Sequence, residues 1–169
     1  FFSLGKKQTK NGVFGITISA DICIVSKEIA DNIRNLVSKE TSVPFENICF
    51  SCIHTHSGPA VMGYSGWGDS NEEYVNGILI PKTVEASKDA VNNMVYAVMG
   101  AGTTESLVGV NRRQILEDGS VDLGQNPFGV CDKTMTVVAF KDLSGKNILN
   151  IVHYGCHGTV AGLSTKISR

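Results

Sequence analysis

The four histidines of the chain occur as two close pairs, and histidine is the side chain best suited to metal binding and to acid–base chemistry near neutral pH. His54 and His56 lie in His-Thr-His-Ser-Gly-Pro, and His153 and His157 lie in His-Tyr-Gly-Cys-His-Gly-Thr. Each pair follows or ends a segment that is predicted to be a strand. Binding crevices in α/β sheets form at strand ends. The sequence therefore predicts that both pairs contribute to one site.

The spacing of the first pair leaves two arrangements open. His54 and His56 are two residues apart, so a strand that continued through them would place both rings on one face, as a zinc site requires. If the chain turns after Ile53, the rings diverge; one then ligates a metal and the other donates a hydrogen bond to substrate. A lone His-x-His is also common in ordinary polar loops.

The second pair divides differently. His153 lies inside a predicted strand, so we interpret it as a hydrogen-bonded core histidine. His157 follows that strand and precedes Gly158-Thr159, which leaves its ring freer to point into a cleft.

The elements that position the first pair are predicted to be a strand, a helix and a second strand. Asn11-Gly12 is a turn signal before a β-branched strand at 13–20, which predicts a hairpin. An apolar face at helical spacing predicts a helix over 26–39, with Ser26 as its N-cap. A short apolar run at 47–53 predicts a buried strand, and the three elements together predict a βαβ unit.

Downstream, residues 54–69 are predicted to form a loop, and Ser70 with Glu73 predicts a capping box for a helix that Pro81 kinks or breaks. The polar stretch 114–132 is predicted to be irregular. The remaining predicted strands are 96–99, 106–110, 134–140 and 146–154, the last two joined as a hairpin. The predicted fold class is α/β, a mixed β-sheet flanked by helices in a single domain.

Composition excludes several classes of partner. With 169 residues, 42% of them hydrophobic, the chain can bury a core. Its net charge of −1 gives no extended positive electrostatic potential that would attract nucleic acid. No apolar run reaches the length of a transmembrane segment. The five cysteines are predicted to be buried free thiols, because Cys49 and Cys52 would face opposite sides of a strand. Free thiols favour a cytoplasmic location, whereas a signal peptide upstream would mean secretion.

Four motifs, in this order and spacing, resemble the neutral/alkaline non-lysosomal ceramidase family. They are Ser19-Ala20-Asp21, His54-Thr55-His56-Ser57-Gly58-Pro59, Val110-Asn111-Arg112-Arg113 and Gly155-Cys156-His157-Gly158-Thr159. The resemblance covers residues 13–169 and identifies 1–169 as part of the N-terminal metal-binding catalytic domain of such a protein.

The resemblance implies a zinc-dependent amidohydrolase that cleaves an N-acyl amide such as ceramide into a sphingoid base and a fatty acid. It implies that His54 and His157 bind zinc, and that His56 and Arg112 act near the substrate carbonyl. Zinc activates water, and a cationic donor stabilises the oxyanion that forms on attack. The family's other two ligands, a glutamate and a tyrosine, come from later in the polypeptide, so the implied partners are a small-molecule amide or lipid substrate and the remainder of the same polypeptide.

Three interpretations stay open. Asp21 either orients a ligand histidine by accepting its second ring proton or caps the following helix. Tyr64 and Trp67 either line an acyl or sphingoid groove or pack their loop onto the domain. The alternative function is a catalytically incomplete ligand- or partner-binding domain that retains the metal-site histidines. A longer polypeptide that supplies the glutamate and tyrosine would favour the enzyme.

Overall fold

The computed structural model describes residues 2–5, 15–64, 68–158 and 166. The chain divides into two compact units, Phe1–Met94 with Gly158–Arg169 and Val95–His157, which we call the first and second units. The predicted turn at Asn11-Gly12, the start of its strand, Trp67 and Thr159 lie outside the described residues.

The first unit is built on a mixed three-stranded sheet of β1 (Phe2–Gly5), β2 (Ile16–Ala20) and β3 (Ile48–Cys52). β2 lies between the other two strands, antiparallel to β1 and parallel to β3. Helix α1 (Lys27–Thr41) connects β2 to β3. The predicted βαβ unit is therefore confirmed.

Helix α1 begins where the sequence predicts it. Ser26 Oγ accepts a hydrogen bond from the backbone NH of Ile29 at 3.2 Å, which satisfies one of the orphan donors of the first turn. The helix buries Ile33 and Val37. It ends at Thr41, and the following C-cap residue, Ser42, has a φ of 58° that terminates the helical backbone.

The second helical segment departs from regular α-helix before Pro81. It consists of α2 (Glu72–Tyr74), one π-helical turn (Val75–Leu79) and α3 (Ile80–Asn92). Proline has no NH to donate and crowds the preceding turn, and a wider turn upstream accommodates both effects. The predicted break at this proline therefore takes the form of a local change in hydrogen-bond pattern.

The wider turn also changes which face of the segment is buried. A regular helical period would place Ile78 with Tyr74 on the buried face, but Ile78 is 49% exposed and the buried stripe is formed by Val75 and Leu79. The predicted capping box is wrong as well. Asn71 caps the helix, its Oδ1 accepting from Tyr74 NH at 2.9 Å, while Ser70 Oγ donates to the Val61 carbonyl oxygen at 3.0 Å.

Helix α1 packs against β3 and α3, and α3 also lies along the sheet. The buried apolar core of the first unit lies among these elements. It comprises Ile16, Ile18, Ala20, Ile22, Ile33, Val37, Val43, Ile48, Val61, Val75 and Leu79.

The second unit is antiparallel throughout. Its larger sheet has the order β4 (Val98–Glu105), β7 (Thr134–Lys141), β8 (Asn147–Tyr154), and β5 (Asn111–Ile115) pairs with β6 (Val121–Asn126). The predicted β7–β8 hairpin is confirmed. None of the residues from 95 to 157 is fully buried.

Two sequence predictions for the second unit are wrong. Residues 106–110 are a connection rather than a strand, and the strand of this region is β4, which precedes them. Gly100 and Gly102 lower the β-propensity of the β4 sequence, which is why the pattern does not predict it. Residues 114–126 are not irregular, although 127–132 are. The former contain most of the β5–β6 hairpin, which turns at Gly119 with a φ of 80°.

The α/β fold class, with a mixed sheet flanked by helices, is confirmed in the first unit, while the strands of the second unit form sheets of their own. The five cysteines are free, as predicted, but Cys49 and Cys156 are exposed and the other three are half-buried, so the prediction of full burial is wrong. Among the described residues, no helix is both long and apolar enough to cross a membrane.

Candidate metal and catalytic site

The first histidine pair lies just beyond the end of β3, where the backbone changes direction. Ile53 NH donates to the Ala20 carbonyl oxygen at 3.1 Å, and His54 NH donates to the Ile22 carbonyl oxygen at 3.2 Å. His54 then adopts a φ of 65°, in the left-handed region that costs a non-glycine residue energy. The chain therefore turns at His54 rather than continuing as a strand.

This turn brings the two imidazoles together. The Nε2 atoms of His54 and His56 are 3.4 Å apart, and the ring centroids are 4.9 Å apart with planes at 88°. The prediction that a turn after Ile53 would separate the rings is wrong. The left-handed backbone at His54 folds its ring back toward the loop that carries His56.

The Cys23 backbone carbonyl orients the ring of His54. His54 Nδ1 lies 2.9 Å from that oxygen, so the tautomer with hydrogen on Nδ1 donates to it and leaves the Nε2 lone pair available to a metal. One of the two open interpretations of Asp21 gave it such an orienting contact, but for His54 the Cys23 carbonyl supplies it. The alternative of Asp21 as helix cap is wrong, because Ser26 caps α1.

The side chain of Cys23 belongs to the same cluster, which the sequence reasoning missed. Its Sγ lies 3.5 Å from His54 Nδ1, and one ligand atom from each of Cys23, His54 and His56 lies within 4.8 Å of the others. Burial raises the pKa of the Cys23 thiol, and burial, followed by the neighbouring Cys23, raises the pKa of Cys52. The available signal was that β2 and β3 are parallel, so the segments following them meet.

The remainder of the His-Thr-His-Ser-Gly-Pro loop is held by close contacts. Thr55 is buried, and its Oγ1 accepts from Ser57 NH at 3.2 Å. A Cβ on Gly58 would lie 3.3 Å from the Asp21 carbonyl oxygen, so glycine permits this approach. The side chain of Tyr64 is 60% exposed, and its backbone NH donates to the Gly68 carbonyl oxygen at 3.2 Å.

The second unit contains the other candidate residues. Arg112 in β5 places its guanidinium NH2 3.3 Å from His157 Nδ1, with both side chains half-buried. The guanidinium has only donors, so Nδ1 accepts this bond. His153 is exposed on β8, so its prediction as a core histidine is wrong. Arg113, the next residue along β5, is exposed.

The described structure thus brings His54 and His56 together in the first unit, and Arg112 and His157 together in the second. Imidazole nitrogen and thiolate sulfur are the ligands that zinc takes most often, so the cluster around His54 fits that ion by its chemistry. The assignment of His54 and His157 to metal, and of His56 and Arg112 to catalysis, stays a prediction.

The chain is similar to known proteins in its structure, although no match is found by sequence. No protein-family model matches the sequence, and no curated protein matches it. The structure is similar to neutral ceramidase from Pseudomonas aeruginosa, with a TM-score of 0.72 and 20% identity over 94% of this chain and 26% of that one. It is also similar to a ceramidase complexed with C2, with a TM-score of 0.62 and 19% identity over 96% of this chain and 26% of that one.

The chain therefore spans about a quarter of the length of the two ceramidase structures, and it has the fold of a part of neutral ceramidase.

Proposed function

We propose that this chain is part of a zinc-dependent amidohydrolase of the neutral ceramidase kind, which hydrolyses an N-acyl amide such as ceramide to a sphingoid base and a fatty acid. The observation that carries the proposal is the paired imidazoles of His54 and His56 at the end of β3, with Nε2 atoms 3.4 Å apart, in a chain with the ceramidase fold.

The proposed metal ligands are His54 and His157. Because His157 Nδ1 accepts from Arg112, Nε2 of its neutral ring carries the hydrogen, so metal binding by His157 would replace its bond to Arg112. The Cys23 carbonyl fixes the tautomer of His54 that offers Nε2 to a metal, as outer-shell contacts do in zinc sites. Bound zinc supplies Lewis acidity toward a carbonyl oxygen and toward water. Further ligands come, in this proposal, from the remainder of the same polypeptide.

The proposed catalytic residues are His56 and Arg112. Attack on an amide carbon places negative charge on the carbonyl oxygen, and preorganised donors stabilise that charge. Arg112 is permanently cationic, and its bond to His157 uses one of the five N–H donors of the guanidinium. Its half-burial strengthens any contact that it makes with the developing oxyanion.

The test is hydrolysis of an N-acyl sphingosine by the polypeptide that joins this chain to its remainder. Arg112→Ala should lower kcat by about 100- to 1000-fold, the usual cost of removing an oxyanion donor. Arg113→Ala is the matched control, because Arg113 is exposed on the same strand, and it should leave kcat within a few-fold.

Equal losses in the two variants, or hydrolysis that survives removal of metal by a chelator, would contradict the proposed mechanism. Zinc binding without hydrolysis of any N-acyl amide would favour the alternative, a binding domain that retains the histidines.

A further inference from the structure

We propose that Asn111 is a positioning residue for Arg112. Its side chain clamps a β-bulge in the β5–β6 hairpin, and the bulge directs the guanidinium of Arg112 to its place beside His157. The inference rests on the proposed function, in which Arg112 stabilises the oxyanion. It assigns to Asn111 a role that acts through Arg112 rather than through the metal or the substrate.

The pairing of β5 with β6 changes register at Arg112. Asn111 lies opposite Asn126, whereas Arg113 lies opposite Leu123, so two residues of β6 lie opposite Arg112 alone. A bulge of this kind bends the ladder and changes the direction of the side chain at the irregularity. The direction of Arg112 is therefore set by the bulge rather than by regular strand alternation.

The side chain of Asn111 forms two hydrogen bonds around the bulge. Its Oδ1 accepts from the backbone NH of Arg113 at 2.9 Å, and its Nδ2 donates to the Val130 carbonyl oxygen at 2.8 Å. The first bond spans Arg112 along β5, and the second joins β5 to the segment that follows β6. Because both ends of the amide are engaged, the backbone on both sides of Arg112 is fixed.

Gly129 leaves room for the side chain of Asn111. A Cβ on Gly129 would lie 2.7 Å from both Cβ and Nδ2 of Asn111, which is closer than such atoms approach. The backbone NH of Gly129 donates to the Asn126 carbonyl oxygen at 3.2 Å, so this glycine is itself held against β6. An alanine at position 129 would therefore displace Asn111 without changing the amide group.

The proposed reaction requires Arg112 to be held from its own strand. One guanidinium NH2 lies 3.3 Å from His157 Nδ1, but a metal bound by His157 would replace that bond. A long side chain that is ordered only on reaction loses rotamer freedom at that moment, whereas a preorganised donor does not. The Asn111 clamp fixes the backbone from which Arg112 extends, whether or not the bond to His157 is present.

A double-mutant cycle tests this role through hydrolysis of an N-acyl sphingosine by the longer polypeptide. Asn111→Ala should lower kcat by about 10- to 100-fold and leave KM within a few-fold, because a misplaced donor loses transition-state stabilisation. In an Arg112→Ala background, the same substitution should lower kcat by no more than about two-fold, since no donor is left to position. An equal loss in both backgrounds would overturn the role, because Asn111 would then act independently of Arg112.

Two further variants serve as a second test and a control. Gly129→Ala should reproduce the loss of kcat with Asn111 intact, and it replaces Asn111→Ala if that variant does not fold. Asn150→Ala is the matched control, because Asn150 is an exposed asparagine on β8 of the same unit, and it should leave kcat within a few-fold. Wild-type kcat in folded Gly129→Ala would overturn the clamp.

NMR of His157 in the metal-free chain tests the inference without hydrolysis. Accepting a hydrogen bond changes the ¹⁵N chemical shift of an imidazole nitrogen, so Arg112→Ala should move the Nδ1 resonance of His157 at fixed pH. Asn111→Ala should move it in the same direction, and a resonance that keeps its wild-type position would overturn the inference. If the resonance moves as expected but the longer polypeptide hydrolyses no N-acyl amide, the proposed function fails and the positioning of Arg112 by Asn111 is supported.

Discussion

The two units of the chain differ most in what they bury. Among the residues that the structure describes, the first unit has a core of eleven buried apolar residues, whereas no residue of the second unit is fully buried. In the second unit, large apolar side chains such as Tyr96, Phe128 and Val130 are 82%, 96% and 94% exposed. The first unit is therefore stabilised by apolar burial, and the second mainly by its strand ladders and a few polar contacts.

This difference also bears on function. Extended apolar surface of the kind that the second unit exposes is usually covered by another part of a protein or by a ligand. Arg112 and His157 lie in that unit, whereas the cluster of Cys23, His54 and His56 lies in the unit with the core. This cluster is thus built on the better-packed part of the chain.

The largest expected difference between the units comes from the same substitution made in each. Leu79→Ala removes a fully buried side chain and should lower the free energy of unfolding by about 2–5 kcal/mol. Leu143→Ala, at a position 76% exposed in the second unit, should change it by no more than about 0.5 kcal/mol. Urea denaturation of the two variants measures both effects, and similar losses would show that the second unit has an apolar core after all.

A smaller effect is expected from the polar contact that ties β8 of the second unit to the connection after β4. Tyr154 Oη accepts from Gly109 NH at 3.0 Å and donates to the Ser106 carbonyl oxygen at 3.0 Å. Tyr154→Phe leaves both backbone groups without this partner and should cost about 1–3 kcal/mol.

Thermal and urea unfolding would measure the loss. The matched control is Tyr96→Phe in the same unit, because Tyr96 is 82% exposed. A Tyr154→Phe variant as stable as Tyr96→Phe would mean that the second unit does not depend on this contact.

The smallest effect concerns the cap of the second helical segment in the first unit. Asn71→Ala removes the oxygen that accepts from Tyr74 NH and should lower stability by about 1 kcal/mol. Asn71→Asp keeps a capping oxygen and should retain most of the stability that Asn71→Ala loses. If both variants lose the same amount by urea denaturation, Asn71 does not act as the cap.

The parts of the fold that the sequence predicts correctly are those with strong local patterns. Helix α1 has an N-cap at Ser26 and a continuous apolar face, and the β7–β8 hairpin has two strands rich in β-branched residues around a turn at Gly145 with a φ of 89°. Local chemistry determines such elements. The Asp118-Gly119 turn gave an equally local signal for the β5–β6 hairpin, but the surrounding polar residues obscured it.

The sequence predictions fail where the structure depends on unusual backbone geometry or on contacts between residues far apart in the sequence. The π-helical turn before Pro81 shifts the buried face away from Ile78, which a regular helical period cannot anticipate. The histidine pairs were visible as a pattern, but Cys23 was not, because its contact with His54 spans 31 residues. That contact depends on the parallel pairing of two strands and on one left-handed residue.

Zinc content after dialysis tests whether the loop after β3 is a metal site. The wild-type chain should retain about one zinc ion, as a site of this type does. His54→Asn should retain none, since asparagine tolerates the left-handed backbone but removes the imidazole, whereas His153→Ala, at an exposed position on β8, should retain zinc like the wild type. Equal zinc in the wild type and His54→Asn would contradict the metal site, and with it the proposal of a zinc amidohydrolase.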